Sequence, residues 1–74
     1  MDDSSDSLSI AFGRRLASLR AAAGLTQSEL ARKSNMQRAY IWRVEDGRTL
    51  PSLRTAAKLA EALDISLSEL LAEI

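Results

Sequence analysis

The stretch TQSELARKSNMQRAYIWRVEDG, residues 26–47, decides the fold. Thr26-Gln27-Ser28-Glu29 has the form of a capping box: a hydroxyl for one orphan helix amide and, three residues on, a carboxylate that reaches back to the cap's own amide. Leu30 and Ala31 give the helix that starts there a buried side. Ser34-Asn35 ends it within about three turns, because Asn tolerates the left-handed backbone conformation almost as Gly does. A further helix then resumes, with Met36, Tyr40, Ile41 and Val44 on its inner face, and stops at Asp46-Gly47. At about 100° per residue, Ala39, Trp42, Arg43 and Asp46 fall opposite the Ile41/Val44 stripe. The face turned to solvent therefore carries the chain's one tryptophan. A large apolar side chain left in water needs a partner.

Outward from this stretch the apolar spacing stays helical. Phe12, Leu16, Leu19 and Ala23 recur at i, i+4, i+7 and i+11, and Gly24 follows where a helix end wants positive φ, so a first helix is expected over about residues 8–23. Pro51 makes the preceding Arg48-Thr49-Leu50 a loop. Ser52 caps a fourth helix with Leu53, Ala56, Ala57, Ala60 and Leu63 expected inside and Asp64 at its C-terminal turn. Ser66-Leu67-Ser68-Glu69 is a second capping box and opens a fifth helix with Leu67, Leu70, Leu71 and Ile74. MDDSSDS, residues 1–7, has no periodicity and is expected to be a disordered acidic tail, leaving residues 8–74 as one domain.

The 74 residues suffice for one domain with a modest core. There is no cysteine and no histidine, so no disulfide framework, no Cys/His zinc pattern and no histidine general base is available. No apolar run approaches the roughly 18 residues of a membrane span, and the acidic N-terminus is unlike a secretory signal, so a cytoplasmic protein is expected. Formal net charge is +0, yet its distribution is uneven. Positions 14–58 hold all ten basic residues against Glu29, Glu45 and Asp46, a net +7; the segments before and after hold only acidic charges. Such a division points to a middle that meets a polyanion and ends that face elsewhere.

Two short helices joined by a tight turn, the second showing a polar and aromatic face, are what a helix-turn-helix needs. One helix braces against the phosphate backbone while the N-terminal part of the next lies in the major groove, which at about 12 Å wide admits one helix.

On TQSELARKS, Met36, Ile41 and Val44, VEDG, PSL and LAEALDISLSELL, the chain resembles the lambda-repressor and Cro type of helix-turn-helix domain, a five-helix, all-α family of bacterial and phage transcriptional regulators. The resemblance spans about residues 12–71. It implies that Gln27 touches phosphate and braces the start of the third helix. It places Gln37, Arg38, Ala39 and Arg43 at base edges with Trp42 between them, puts Gly47 and Arg48 near phosphate, and makes Arg20 and Glu45 a buried ion pair. Two residues depart from the family pattern: Asn35 stands where Gly is usual in the turn, and Trp42 where a small or polar residue is usual. The small size further resembles the controller proteins of restriction–modification systems, which bind operators as dimers, although small phage regulators and antitoxins share the outline.

Leu67, Leu70, Leu71 and Ile74 are generous for a short terminal helix, so a two-fold dimer through them is expected. Its recognition helices would then meet half-sites about 34 Å apart on double-stranded DNA. Glu29, Glu61, Asp64 and Glu69 suit capping and solvated faces, so no enzyme, metal or other cofactor is expected, and no small-molecule effector pocket is evident. The expected function is a sequence-specific DNA-binding regulator, repressor or activator, acting on a palindromic operator. The reading from another class is a protein-interaction module or antitoxin on the same scaffold.

Overall fold

The computed structural model describes residues 6–74. Five helices follow in order: α1 (Ser7–Ala22), α2 (Gln27–Lys33), α3 (Arg38–Glu45), α4 (Leu53–Ala62) and α5 (Leu67–Leu70); no strand occurs among the described residues. No helix described is long and apolar enough to cross a membrane.

The expected tail gives up its last two residues to α1. Asp6 is the N-cap, its Oδ1 accepting from the Ser9 amide at 2.8 Å, and Ser7 is already helical. An aspartate ahead of an apolar-periodic segment is a good cap, and the run of Ser and Asp around it obscured the boundary. The rest of the expected tail, residues 1–5, lies outside the described residues. Thr26 and Glu29 form both halves of their capping box, and Ser52 and Ser66 cap α4 and α5 by accepting from the Thr55 and Glu69 amides.

Four successive helices end in the same way. Gly24, Asn35, Gly47 and Asp64 take positive φ at 75°, 59°, 78° and 61°. In each case the left-handed residue donates its amide back three positions and the next residue donates back five, as in Leu25 N to Arg20 O, Met36 N to Ala31 O, Arg48 N to Arg43 O and Ile65 N to Ala60 O. These are Schellman motifs, which satisfy the orphan carbonyls and turn the chain sharply. Their usual companion is an apolar contact from the residue after the left-handed one. Leu25, Met36 and Ile65 supply it by packing on the core. Arg48 at the end of α3 does not, and its guanidinium goes elsewhere.

The core consists of Phe12, Leu16, Leu30, Ala31, Ile41, Val44, Ala56, Leu59, Ala60, Leu63 and Leu70. In α4 the buried stripe is Ala56, Leu59, Ala60 and Leu63, whereas Leu53 is 68 % exposed and Ala57 lies on the surface. The expected inner face was therefore rotated: Leu53 is the first residue of the helix and overhangs the edge of the core, and Leu59, not Ala57, continues the stripe three residues after Ala56. Ala23 is the exposed C-cap of α1 rather than an inner residue. Ser34, in the helix-turn-helix turn, is buried because its hydroxyl donates to Leu30 O at 2.7 Å.

Besides the burial of Phe12 and Leu16, two close contacts on one side of α1 tie it to α3 and α5. Gly13 is buried against the backbone end of α3: a Cβ there would collide with Val44 O and stand 2.8 Å from Glu45 O. Only glycine lets the two helix backbones approach so closely. Arg15 Nη2 donates to Glu69 O at 2.7 Å and ties α1 to α5.

Candidate nucleic-acid interface

The side chains that hold α2 and α3 in register meet at Glu45. Arg20, from α1, donates through Nε to Glu45 Oε2 at 2.6 Å and through Nη2 to Oε1 at 3.0 Å; its Nη1 donates to Leu25 O at 2.8 Å. Gln27 Nε2 donates to Glu45 Oε1 at 3.0 Å, and Gln27 Oε1 accepts a long contact from Arg38 Nη1 at 3.5 Å. One carboxylate thus receives donors from α1 and α2. Planar, two-pronged arginine binding fixes the direction of approach as well as the distance. The side chains are 18 % and 7 % exposed for Arg20 and Glu45, so the pair is largely shielded from water, and hydrogen bonding to Glu45 raises the Arg20 pKa further above its ordinary value. The structure brings together three residues that lie 18 and 25 positions apart in sequence.

This clamp leaves one face of α3 open. Ile41 and Val44 are buried, Tyr40 and Glu45 are half-buried, and Gln37, Arg38, Ala39, Trp42, Arg43 and Asp46 are exposed. Gln37 occupies the N-cap of α3 but makes no capping hydrogen bond with its side chain. Gln is a poor cap to begin with, and its side-chain amide makes no hydrogen bond among the described residues at the leading end of the helix. Arg43 folds back so that its guanidinium carbon sits 5.7 Å from the centre of the Tyr40 ring. Burial raises the Tyr40 hydroxyl above its ordinary pKa, and the nearby Arg43 charge opposes that shift. At the C-terminal end, Gly47 is buried against Ile10, with space for a Cβ only 3.1 Å from the Ile10 side chain. Arg48 follows, with its Nε 2.6 Å from Asp46 Oδ2 and its guanidinium 5.0 Å from the Trp42 ring centre.

The expected dimer residues separate into different environments. Leu70 is fully buried in the protomer's own core, and Leu67 and Leu71 are partly buried against that core. Leu70 therefore cannot serve an interface, because the single turn of helix that carries it is pinned under α4. Of the expected set Ile74 is exposed, at 39 %. It stands with Leu8, Leu50 and Leu53 around an open apolar groove of about 360 Å³, floored by Phe12, Pro51, Ala56 and Leu71. Leu8 and Leu50 carry no signal in the sequence and Leu53 reads there as an inner residue of the fourth helix, because the three belong to a helix start, a loop and another helix start that no linear periodicity connects.

Residues 11–73 match the helix-turn-helix domain family. The immunity repressor of Bacillus phage phi105 is 39 % identical over 61 residues, which is 82 % of this chain and 42 % of the repressor; the chain thus spans less than half of that relative. An HTH-type transcriptional regulator of Archaeoglobus fulgidus is 39 % identical over 56 residues, covering 76 % of this chain and 80 % of its own. Among solved structures, the restriction-modification controller protein C.AhdI of Aeromonas hydrophila superposes with a TM-score of 0.85 at 45 % identity, over 88 % of this chain and 98 % of the controller. The clp gene regulator ClgR of Corynebacterium glutamicum gives 0.84 at 35 % identity, over 89 % and 86 %. By fold, by the turn between α2 and α3 and by sequence, the chain belongs to the helix-turn-helix family of transcriptional regulators.

Proposed function

We propose that the chain is a homodimeric regulator that inserts α3 into the major groove of a palindromic operator. The observation that carries this is the Arg20–Glu45–Gln27 clamp, which fixes α3 against α1 and α2 while leaving Gln37, Ala39 and Arg43 exposed on one side. Arg43 has the planar donor set that pairs with guanine O6 and N7, Gln37 the amide that suits adenine, and Ala39 a methyl for thymine. Gln27, Arg38 and Arg48 border this face and supply phosphate contacts, which position the protein without specifying sequence; Gly47, expected among them, is buried against Ile10 with its amide donated to Val44 O, so its part is to turn the chain toward Arg48. A cytoplasmic setting, where the DNA lies, follows from this reading.

The groove around Leu8, Leu50, Leu53 and Ile74 supports a two-fold dimer. No residue of α3 lines it, so a second copy seated there leaves both recognition helices free. A self-complementary patch is what a two-fold interface requires, and the pairing would present two half-sites about 34 Å apart. Similarity to C.AhdI over 98 % of that protein's length supports a controller-type regulator of restriction–modification genes.

The test is selection of bound duplexes from a random pool, followed by titration of the best sequence at several salt concentrations. The selected site should be palindromic, and affinity should fall steeply as salt rises because bound phosphates release counterions. Arg43→Ala should lose about 1–3 kcal/mol of affinity for the selected site and relax preference at one base position per half-site. Weakening of equal size on every sequence would make Arg43 a phosphate contact. Salt-independent behaviour with no selected site would favour a protein-interaction module, for which the same apolar groove is the docking surface.

A further inference from the structure

We infer that Trp42 is a positioning residue for Arg48: its indole is the platform on which the Arg48 guanidinium is held ready for one DNA phosphate. The inference rests on the DNA-binding function proposed for α3 and refines it, since Trp42 then acts on the backbone of the operator and not on a base.

Three observations converge. First, the Arg48 backbone is fixed. Its amide donates to Arg43 O at 2.9 Å in the Schellman motif, and Gly47 before it is wedged against Ile10 at φ 78°. Second, Arg48 is the exception among the four motifs: Leu25, Met36 and Ile65 pack inward at the equivalent position, whereas Arg48 stays on the surface and turns to Trp42. Third, the guanidinium is restrained from two sides, with the indole 5.0 Å from its carbon and Asp46 Oδ2 2.6 Å from Nε. Trp is the strongest of the aromatic partners for such a cation. Asp46 occupies Nε alone, and the two terminal nitrogens make no hydrogen bond among the described residues. A phosphate oxygen pair needs that free edge.

An exposed arginine carries rotamer entropy that binding must remove. Holding the side chain in place beforehand removes part of that cost from the binding step. It also gives a use to an aromatic residue left 43 % exposed on α3: the Arg48 guanidinium lies over its ring, 5.0 Å from the ring centre.

The experiment compares the full-length wild-type chain with Trp42→Ala, Trp42→Phe, Arg48→Ala and the double variant Trp42→Ala/Arg48→Ala. Each is titrated with the selected duplex and with single-base variants of it, across a salt series. Arg48→Ala should weaken every duplex by the same factor and reduce the log–log salt slope by about one for each phosphate that Arg48 neutralises. Trp42→Ala should weaken every duplex alike by about two- to five-fold, the scale of an exposed cation–π interaction, and Trp42→Phe by less. In the Arg48→Ala background, removing Trp42 should have almost no further effect. A second readout needs no DNA: Arg48→Ala should change the Trp42 emission spectrum of the free protein, and Arg54→Ala should not. The inference is overturned if Trp42→Ala alters preference at one base position, if its effect persists undiminished without Arg48, or if the free-protein emission ignores Arg48. Absence of saturable, salt-dependent binding by the wild type would instead remove the DNA-binding reading itself.

Discussion

Gln27, the first residue of α2, donates its side-chain amide to Glu45, the last residue of α3, across 3.0 Å. The two helices of the helix-turn-helix are thereby joined at the carboxylate that Arg20 also grips from α1. The angle between the helices is held by a point contact between polar groups in addition to the apolar packing of Leu30, Ile41 and Val44.

Glu45→Ala would leave the shielded Arg20 charge without its carboxylate. Breaking one side of a buried pair costs about 3–5 kcal/mol, and denaturant unfolding should show a loss near the lower end of that range because Arg20 retains Leu25 O and some water. Gln27→Ala removes the hydrogen bond to the Glu45 carboxylate together with the long contact from Arg38, and should cost about 1.5–3 kcal/mol, most of it from the Glu45 bond. An unchanged unfolding midpoint for Glu45→Ala would show that apolar packing alone sets the fold.

Gly13→Ala and Gly24→Ala test two different uses of glycine. At position 13 the new methyl meets α3 backbone oxygens, and overpacking there should cost about 1–3 kcal/mol or more. At position 24 nothing stands within 4 Å, and the loss should be about 1–2 kcal/mol from the left-handed backbone alone. Gly24→Asn should therefore recover much of the Gly24→Ala loss in thermal unfolding, whereas Gly13→Asn should be worse than Gly13→Ala.

The Glu29 carboxylate is held below its ordinary pKa, first by the Thr26 amide and then by the Thr26 hydroxyl; Arg32 adds a smaller pull in the same direction. A carboxyl whose folded pKa is depressed contributes stability above its unfolded value, about 4.3, and loses it as pH falls through the lowered folded value. Asp6, capping α1, behaves alike. Glu29→Gln keeps an acceptor for the Thr26 amide without the titration. Its melting temperature should consequently fall less than the wild type's between about pH 7 and about pH 3. Equal falls would mean that the capping carboxylate contributes nothing to the acid transition.

Leu53→Glu and Leu70→Ala should fail in different ways. Leu53 is exposed on the rim of the apolar groove, so a charge there should leave folding intact and, with the proposed dimer seated on that groove, shift sedimentation toward monomer. Leu70 has no exposed surface, and its truncation should cost about 2–5 kcal/mol by opening a cavity. A Leu53→Glu protein that still dimerises at wild-type concentration would place the interface elsewhere.

What the sequence determined by itself is the local architecture. Thr26 with Glu29, Ser52 and Ser66 set the helix starts, Gly24 and Asn35 set two of the left-handed ends, and the spacing of Ile41 and Val44 left Trp42 and Arg43 outside. These are interactions among residues within one or two helical turns of each other, so composition and order suffice to specify them. Tertiary structure decided the rest. Gly13 is needed because α3 crosses it at backbone distance, Leu70 is core because α5 folds under α4, and Leu8, Leu50, Leu53 and Ile74 share a groove only after the start of α1, the stretch 50–53 and the C-terminal end converge. Trp42 likewise acquires its neighbour through a chain reversal, as Gly47 turns Arg48 back toward α3. The Gly13, Leu70 and groove relationships arise from packing between elements that no local periodicity connects, whereas the Trp42–Arg48 contact is local in sequence and depends on a backbone reversal that breaks the helical period.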